Sequence, residues 1–158
     1  MHAPIRWMIR RDRDDILALE KRCFAYPWSL ADFANVLSRH DVIGTVYDDG
    51  DVAGYVTYRL LPYRIQILNL GVAPERRREG IGAALLARIK KKCNPKTNHR
   101  YRLTALVRES NLDAQLFFRS QDFLCVKTLP EIYEETEESG YLFQNLASEK
   151  SHATIANY

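Results

Sequence analysis

Cysteine is scarce in this chain of 158 residues: Cys23, Cys93 and Cys125 are widely separated, and none stands in a C-x-x-C or Cys/His spacing. That arrangement argues against a disulfide framework and against a zinc site, so all three are expected to be reduced thiols and no metal is expected. No apolar run is long enough to cross a bilayer. Met1 to Arg13 alternates apolar and charged residues, without the unbroken hydrophobic region of a secretion signal. The expectation is a soluble, cytoplasmic protein with no membrane partner. Charge of one sign is also missing. The 23 basic residues face 20 acidic ones, and a formal net charge of +3 does not demand a nucleic-acid partner. His2, His40, His99 and His152 lack metal-ligand spacing. Ser29, Ser110 and Ser139 lack a G-x-S-x-G setting, which argues against a hydrolase.

With 46% hydrophobic and 27% charged residues the composition is that of a globular protein large enough to need no covalent staple. Glycine and proline punctuate patterned segments and do not gather into a linker, and no repeat appears. The reading is a single domain over residues 1–147 with a polar tail over residues 148–158. Ile5 to Arg10 alternates as a strand, and Ile16 to Phe24 carries one apolar helix face. Ser29 and Asp32 form a capping-box pattern opening a helix to about Arg39. Val42–Tyr47 and Val52–Leu61 flank Asp49-Gly50 as a hairpin, since that dipeptide tolerates positive φ. Ile65–Val72 is a strand ended by Ala73-Pro74, and Ile81–Ile89 has helical spacing. Tyr101–Val107 is a strand, Asp113–Ser120 a helix, and Phe123–Leu129 with Tyr141–Leu146 a closing pair of strands.

The tract from Leu70 to Leu86 runs from a strand through a basic, glycine-bearing loop into a helix. Free amides and the positive dipole end at the start of a helix favour phosphate, Gly80 and Gly82 let backbone approach closely, and Arg76, Arg77 and Arg78 add charge. The tract is neither a Walker loop nor a G-x-G-x-x-G dinucleotide fingerprint. By itself it is equally a basic loop before a helix.

Arg77-Arg78-Glu79-Gly80-Ile81-Gly82 fits the R/Q-x-x-G-x-G/A pyrophosphate loop of the GNAT superfamily of acyl-CoA-dependent N-acetyltransferases. It follows the strand ending Val72-Ala73-Pro74, and Val107-Arg108-Glu109-Ser110-Asn111 fits that superfamily's next motif, so most of the chain resembles it. Ala25-Tyr26-Pro27-Trp28-Ser29, Asn111 and Tyr133 are most similar to the bacterial ribosomal-protein N-alpha-acetyltransferase group. The resemblance implies an α/β (α+β) GNAT fold, a mixed, mainly antiparallel central sheet flanked by helices, with a splayed acetyl-CoA cleft between the strands ending at Val72 and Val107. It implies that Leu70, Gly71 and Val72 pair with pantetheine, and that Arg77, Arg78, Glu79, Gly80, Ile81, Gly82 and Ala83 cradle the pyrophosphate. Asn111 is then either a cofactor contact, an ordinary helix N-cap, or both. Tyr26, Trp28 and Tyr133 are expected to line the acceptor groove. The implied reaction is direct acetyl transfer to a primary amine, above all a protein N-terminal α-amine.

The chain departs from that pattern at the proton-transfer positions. The glutamate five residues before the asparagine is Leu106, the tyrosine seven residues after it is Phe118, and Asp122 replaces the usual glycine before Phe123. Three readings follow. Tyr133, or a carboxylate of the Glu131–Glu138 segment, carries the proton. Alternatively, an α-amine of pKa near 7.7–8.0 needs little base catalysis, unlike a lysine near 10.4. Lastly, the chain is an acyl-CoA-binding module without catalysis. The acidic segment is otherwise a solvated loop. Arg88, Lys90, Lys91, Lys92, Lys96 and Arg100 form a basic group whose plainest reading is a solvated helix end, with contact to the adenosine 3′-phosphate of CoA or to RNA as alternatives, an RNA-binding module being the more distant one.

Overall fold

A computed structural model describes residues 4–146. The tail over residues 148–158, together with Ala147, His2 and His152, lies outside the described residues. In chain order the elements are β1 (Ile5–Trp7), α1 (Arg13–Cys23), α2 (Leu30–Leu37), β2 (Val42–Asp48), β3 (Val52–Leu60), β4 (Arg64–Val72), α3 (Ile81–Lys90), β5 (Arg102–Arg108), α4 (Leu112–Ser120), β6 (Leu124–Tyr133) and β7 (Glu138–Leu146). The seven strands form one sheet in the order β1-β2-β3-β4-β5-β7-β6. It is mainly antiparallel, with one parallel ladder, and it matches the expected mixed α/β class.

Two compact units divide the chain, the first holding residues up to Leu60 with Leu68–Ile89, the second Leu61–Ile67 with the rest from Lys90. In the first unit, Ser29 opens α2 as the capping pattern predicts. The Asp32 amide donates to Ser29 Oγ at 3.1 Å and the Ser29 amide to Asp32 Oδ2 at 2.8 Å. The β2–β3 hairpin turns at Gly50, whose φ of 123° is open to glycine at little cost. Ile16, Leu19, Phe33, Val46, Tyr55 and Ala73 form its core, with Trp28 packed against them. Trp28 meets Phe33 edge-on at 5.1 Å and Phe33 meets Tyr55 at 6.0 Å. Each such ring contributes about 1.5–3 kcal/mol through burial.

The second unit is built on β4, β5, β7 and β6 with α4. Ile65, Ile67, Leu103, Ala105, Phe118, Phe123 and Phe143 are buried. Phe118 lies 5.0 Å from Phe123 and 6.2 Å from Phe143, so the position where the resemblance places an acid is a core aromatic. Asp122 has φ of 65°, a left-handed conformation that glycine adopts freely and aspartate tolerates, which explains why the local turn survives the replacement. The two closing strands are longer than the sequence suggests. β6 reaches Tyr133 because the ladder with β7 shifts between Leu129 and Tyr133. Pro130, which cannot donate, falls inside that irregularity. The acidic segment is therefore no open loop: Glu131 ends up in β6, Glu138 in β7, with a turn between them.

Candidate active site

In the first unit, β4 leads into the glycine-bearing loop. The parallel ladder of β4 with β5 has Ile67 and Ala105 as its last pair, and β4 runs on to Val72. The Ala73 amide donates to Ala53 of β3 at 2.8 Å. Backbone groups of successive strand residues face opposite edges, so Gly71 also turns toward β3, and Leu70 and Val72 turn to the other edge. A Cβ on Gly71 would meet the Tyr55 ring at 2.8 Å, so glycine is required there for packing. Gly71 is thus packed closely on Tyr55. The Val72 carbonyl already accepts from Cys23 Sγ and from Arg77 Nε, each at 3.3 Å.

The loop is braced by ion pairs. Arg76 spans Asp49 at 2.7 Å and Glu79 at 2.9 Å, and Arg22 pairs with Glu75. Arg78 and Gly80 have φ of 67° and 82°, so the chain turns through two left-handed residues to present the α3 N-terminus. Nothing lies within 4 Å of a Cβ built on Gly80. The first intrahelical bond runs from the Ala84 amide to Gly80 at 2.9 Å. The amides of Ile81, Gly82 and Ala83 therefore precede the ladder, and the first turn carries no acidic side chain. Such a terminus has the chemistry to hold a diphosphate.

A second feature of this unit escaped the sequence reading. Glu20, only 1% exposed, accepts from the Trp28 amide at 2.8 Å and from Asn69 Nδ2 at 2.9 and 2.8 Å, and Tyr55 Oη donates to it as well. Burial pushes its carboxyl up from the ordinary range, against the pull of those donors. The signal was in the spacing: Glu20 stands in the apolar stripe Ile16, Leu19, Glu20, Cys23, where a charged residue needs partners. The network ties the Trp28 segment to β4 one residue before Leu70. Tyr26 is 53% exposed, whereas Trp28 is packed on the core. Burial also pushes the Cys23 thiol up, and in the second unit the Cys93 thiol up to about 11. Both stay protonated at neutral pH and are poor nucleophiles.

In the second unit, Asn111 caps α4, its Oδ1 accepting from the Ala114 amide at 3.1 Å. The N-cap alternative is therefore realised. Glu138, from the acidic segment, accepts from the Ser110 amide at 2.7 Å and from Arg108 Nη1 at 3.0 Å. These bonds, with Ser110 foremost, hold its carboxyl below the ordinary range. An ionised, engaged carboxylate of this kind is a poor general base. Arg108 also donates to Thr136 Oγ1 at 3.0 Å and lies 3.9 Å from the centre of the Tyr133 ring. Burial pushes the Tyr133 phenol up, Arg108 draws it down, and Glu138 adds to the rise. Tyr133 is therefore protonated at neutral pH, fit to give a proton and unfit to take one. Leu106 has no titratable group, and Glu131, Glu134, Glu135 and Glu137 are exposed.

The family model for the acetyltransferase (GNAT) family matches residues 13–123. The chain belongs to that family. A Bacillus subtilis (strain 168) protein provisionally named ribosomal protein bS18-alanine N-acetyltransferase is 29% identical over 119 residues, 74% of this chain and 78% of that one. Among solved structures, the ribosomal-protein-S18-alanine N-acetyltransferase of Escherichia coli aligns with a TM-score of 0.77 at 22% identity, over 91% of this chain and 93% of its own. Arabidopsis thaliana NAA60 in complex with acetyl-CoA aligns at 0.75 and 20% identity, over 90% and 97%. These structural likenesses establish the fold. Among the described residues of this family member, no helix is long and apolar enough to cross a membrane.

Proposed function

We propose that this GNAT chain is an acetyl-CoA-dependent N-acetyltransferase acting on the α-amine of a protein N-terminus. The observation that carries the reading is the α3 N-terminus, with its unladdered amides at Ile81 to Ala83, its acid-free first turn and the open left-handed Gly80. That arrangement suits the pyrophosphate of acetyl-CoA, with Arg77, Arg78 and Glu79 in the approaching loop. The backbone groups of Leu70 and the Val72 amide, turned away from β3, suit the pantetheine amides, the Val72 carbonyl being engaged by Cys23 and Arg77. Asn111, whose Oδ1 caps α4, is proposed as a further contact to the cosubstrate. The relatives named as ribosomal-protein alanine N-acetyltransferases, and the one solved with acetyl-CoA, favour the same assignment.

Acetyl-CoA supplies a thioester carbon. The acceptor nitrogen bonds to that carbon, the C–S bond breaks, the nitrogen loses a proton and the thiolate gains one. A protonated Tyr133 suits the second proton transfer. For the first, an α-amine near pKa 7.7–8.0 is already partly neutral at pH 7, so solvent is a sufficient acceptor where a lysine would need a base. Tyr26, Trp28 and Tyr133 are the proposed acceptor-side residues. Phe118, buried among aromatics, favours a second reading, in which the chain binds acyl-CoA without transferring the acyl group.

One experiment separates the two. Thiol release from acetyl-CoA is followed with free α-amine peptides, lysine-only peptides and polyamines, beside a calorimetric titration of acetyl-CoA. Turnover with α-amine peptides alone is the expected result. Tight binding with no turnover on any amine would establish the binding module, and no binding at all would overturn both readings.

A further inference from the structure

The N-terminal ends of β4 and β5 in the second unit carry an unbalanced charge cluster that acetyl transfer does not use. No Asp or Glu occurs between Val52 and Pro74, nor between Gly80 and Arg108. The fold brings the basic parts of those two stretches together. Arg64 of β4 and Arg102 of β5 are direct partners in the parallel ladder, so two cationic side chains leave the same face of neighbouring strands about 4.8 Å apart. The Tyr101 amide donates to the Tyr63 carbonyl at 3.3 Å, and Arg100 Nε donates to the Leu61 carbonyl at 2.8 Å. Arg102 lies 5.3 Å from the centre of the Tyr101 ring, and its Nη1 donates to the neutral Gln144 Oε1 at 3.4 Å.

Two properties of this cluster point outward. The Nε atoms of Arg64 and Arg102 are buried and have no hydrogen-bond partner, and among the described residues neither arginine has a carboxylate partner. Two half-buried guanidinium groups on neighbouring strands, with no carboxylate beside them, leave a positive patch that a bound anion would balance. Tyr63 and Tyr101 beside them are 62% and 40% exposed, large flat rings left in water. Lys91 and Lys96 are exposed on the adjoining segment, whereas Lys90 is turned inward to the Gln121 carbonyl and the Phe123 ring. This is not the pyrophosphate loop: Arg77 to Ala83 belong to the first unit, whereas Tyr63, Arg64, Arg100, Tyr101 and Arg102 all belong to the second.

We infer that Tyr63, Arg64, Arg100, Tyr101 and Arg102 form a docking surface for single-stranded RNA. Phosphates meet the arginines, and unpaired bases stack on the two tyrosines. The combination of cations lacking carboxylates with exposed rings selects this partner. An acidic peptide or an anionic membrane would use the charge and leave the rings unexplained, and a duplex keeps its bases stacked on each other.

Fluorescence anisotropy of a short labelled single-stranded RNA against the full chain, without acetyl-CoA, tests the inference. Binding is expected to weaken with salt, and the double variant Arg64→Gln/Arg102→Gln to lower the log–log salt slope by about 1.4, at 0.7 for each phosphate no longer neutralised. Tyr63→Ala, at a surface position that the fold does not need, is expected to weaken binding about tenfold with the slope unchanged. It carries the test should the arginine variant fail to fold. Absence of binding at low salt, indifference to Tyr63→Ala, or equal affinity for polyglutamate, anionic vesicles or duplex RNA would each overturn it.

Discussion

Replacing Glu20 by alanine removes one carboxylate and orphans three donors: the Trp28 amide, Asn69 Nδ2 and the fully buried Tyr55 hydroxyl. An unpaired buried donor costs about 1–3 kcal/mol, and the two half-buried groups regain some water, so the loss should be about 3–5 kcal/mol. For a domain of this size that is a fall in Tm of roughly 10 °C. Glu20→Gln keeps the shape and one acceptor, and should cost about 1–2 kcal/mol. Its pH dependence is the sharper test. Burial raises the folded pKa of Glu20, so its favourable contribution is complete below the unfolded value, near 4.3, and declines as pH rises through the folded value. Glutamine does not titrate. The penalty of Glu20→Gln should therefore be largest in mild acid and shrink toward neutrality. Urea unfolding followed by tryptophan emission reads this directly, since Trp28 is part of the network. A penalty that grows with pH would show that the fold stabilises the charged form and would refute the reasoning. So would an alanine variant within about 1 kcal/mol of the parent.

Four further outcomes are expected. Glu138→Gln should remove an acid-sensitive part of the stability: the Ser110 amide and Arg108 hold this carboxyl low, so its contribution is present above about pH 4.3 and lost as pH falls through the folded value. Acid titration of both proteins by circular dichroism checks it. Asp122→Gly should stabilise by up to about 1 kcal/mol in urea, by relieving a left-handed aspartate. Gly80→Val forces a β-branched residue to φ of 82° at the α3 entrance and should weaken acetyl-CoA binding at least tenfold by calorimetry, at a stability cost of about 1–2 kcal/mol. Phe118→Tyr should not raise turnover, because the new hydroxyl enters an aromatic core without a partner, at a cost of about 1–3 kcal/mol.

Local signals were legible in the residues themselves. The capping box at Ser29 and Asp32, the Asp49-Gly50 turn and the period of Ile81 to Ile89 each act over a few neighbours, so spacing alone located α2, the hairpin and α3. The loop from Arg77 to Gly82 was legible for the same reason, because a helix start with the chemistry to hold an anion is a contiguous feature. Partnership across the chain was not. Glu138 read as one more solvated carboxylate until β7 brought it to Arg108 and the Ser110 amide. Glu20 interrupts an apolar stripe, a visible anomaly, yet its partners are 8, 35 and 49 residues away. A net charge of +3 hid the pairing of Arg64 with Arg102, since a sum over residues carries no positions. Residue spacing located the helices, most of each strand and the place where phosphate chemistry is possible, because those depend on short-range backbone and dipole effects, whereas the full length of β6 and β7 depended on their pairing. Tertiary structure alone decided which titratable groups are ionised, engaged or left unpaired, because burial and Coulomb interactions depend on distance in space and not along the chain.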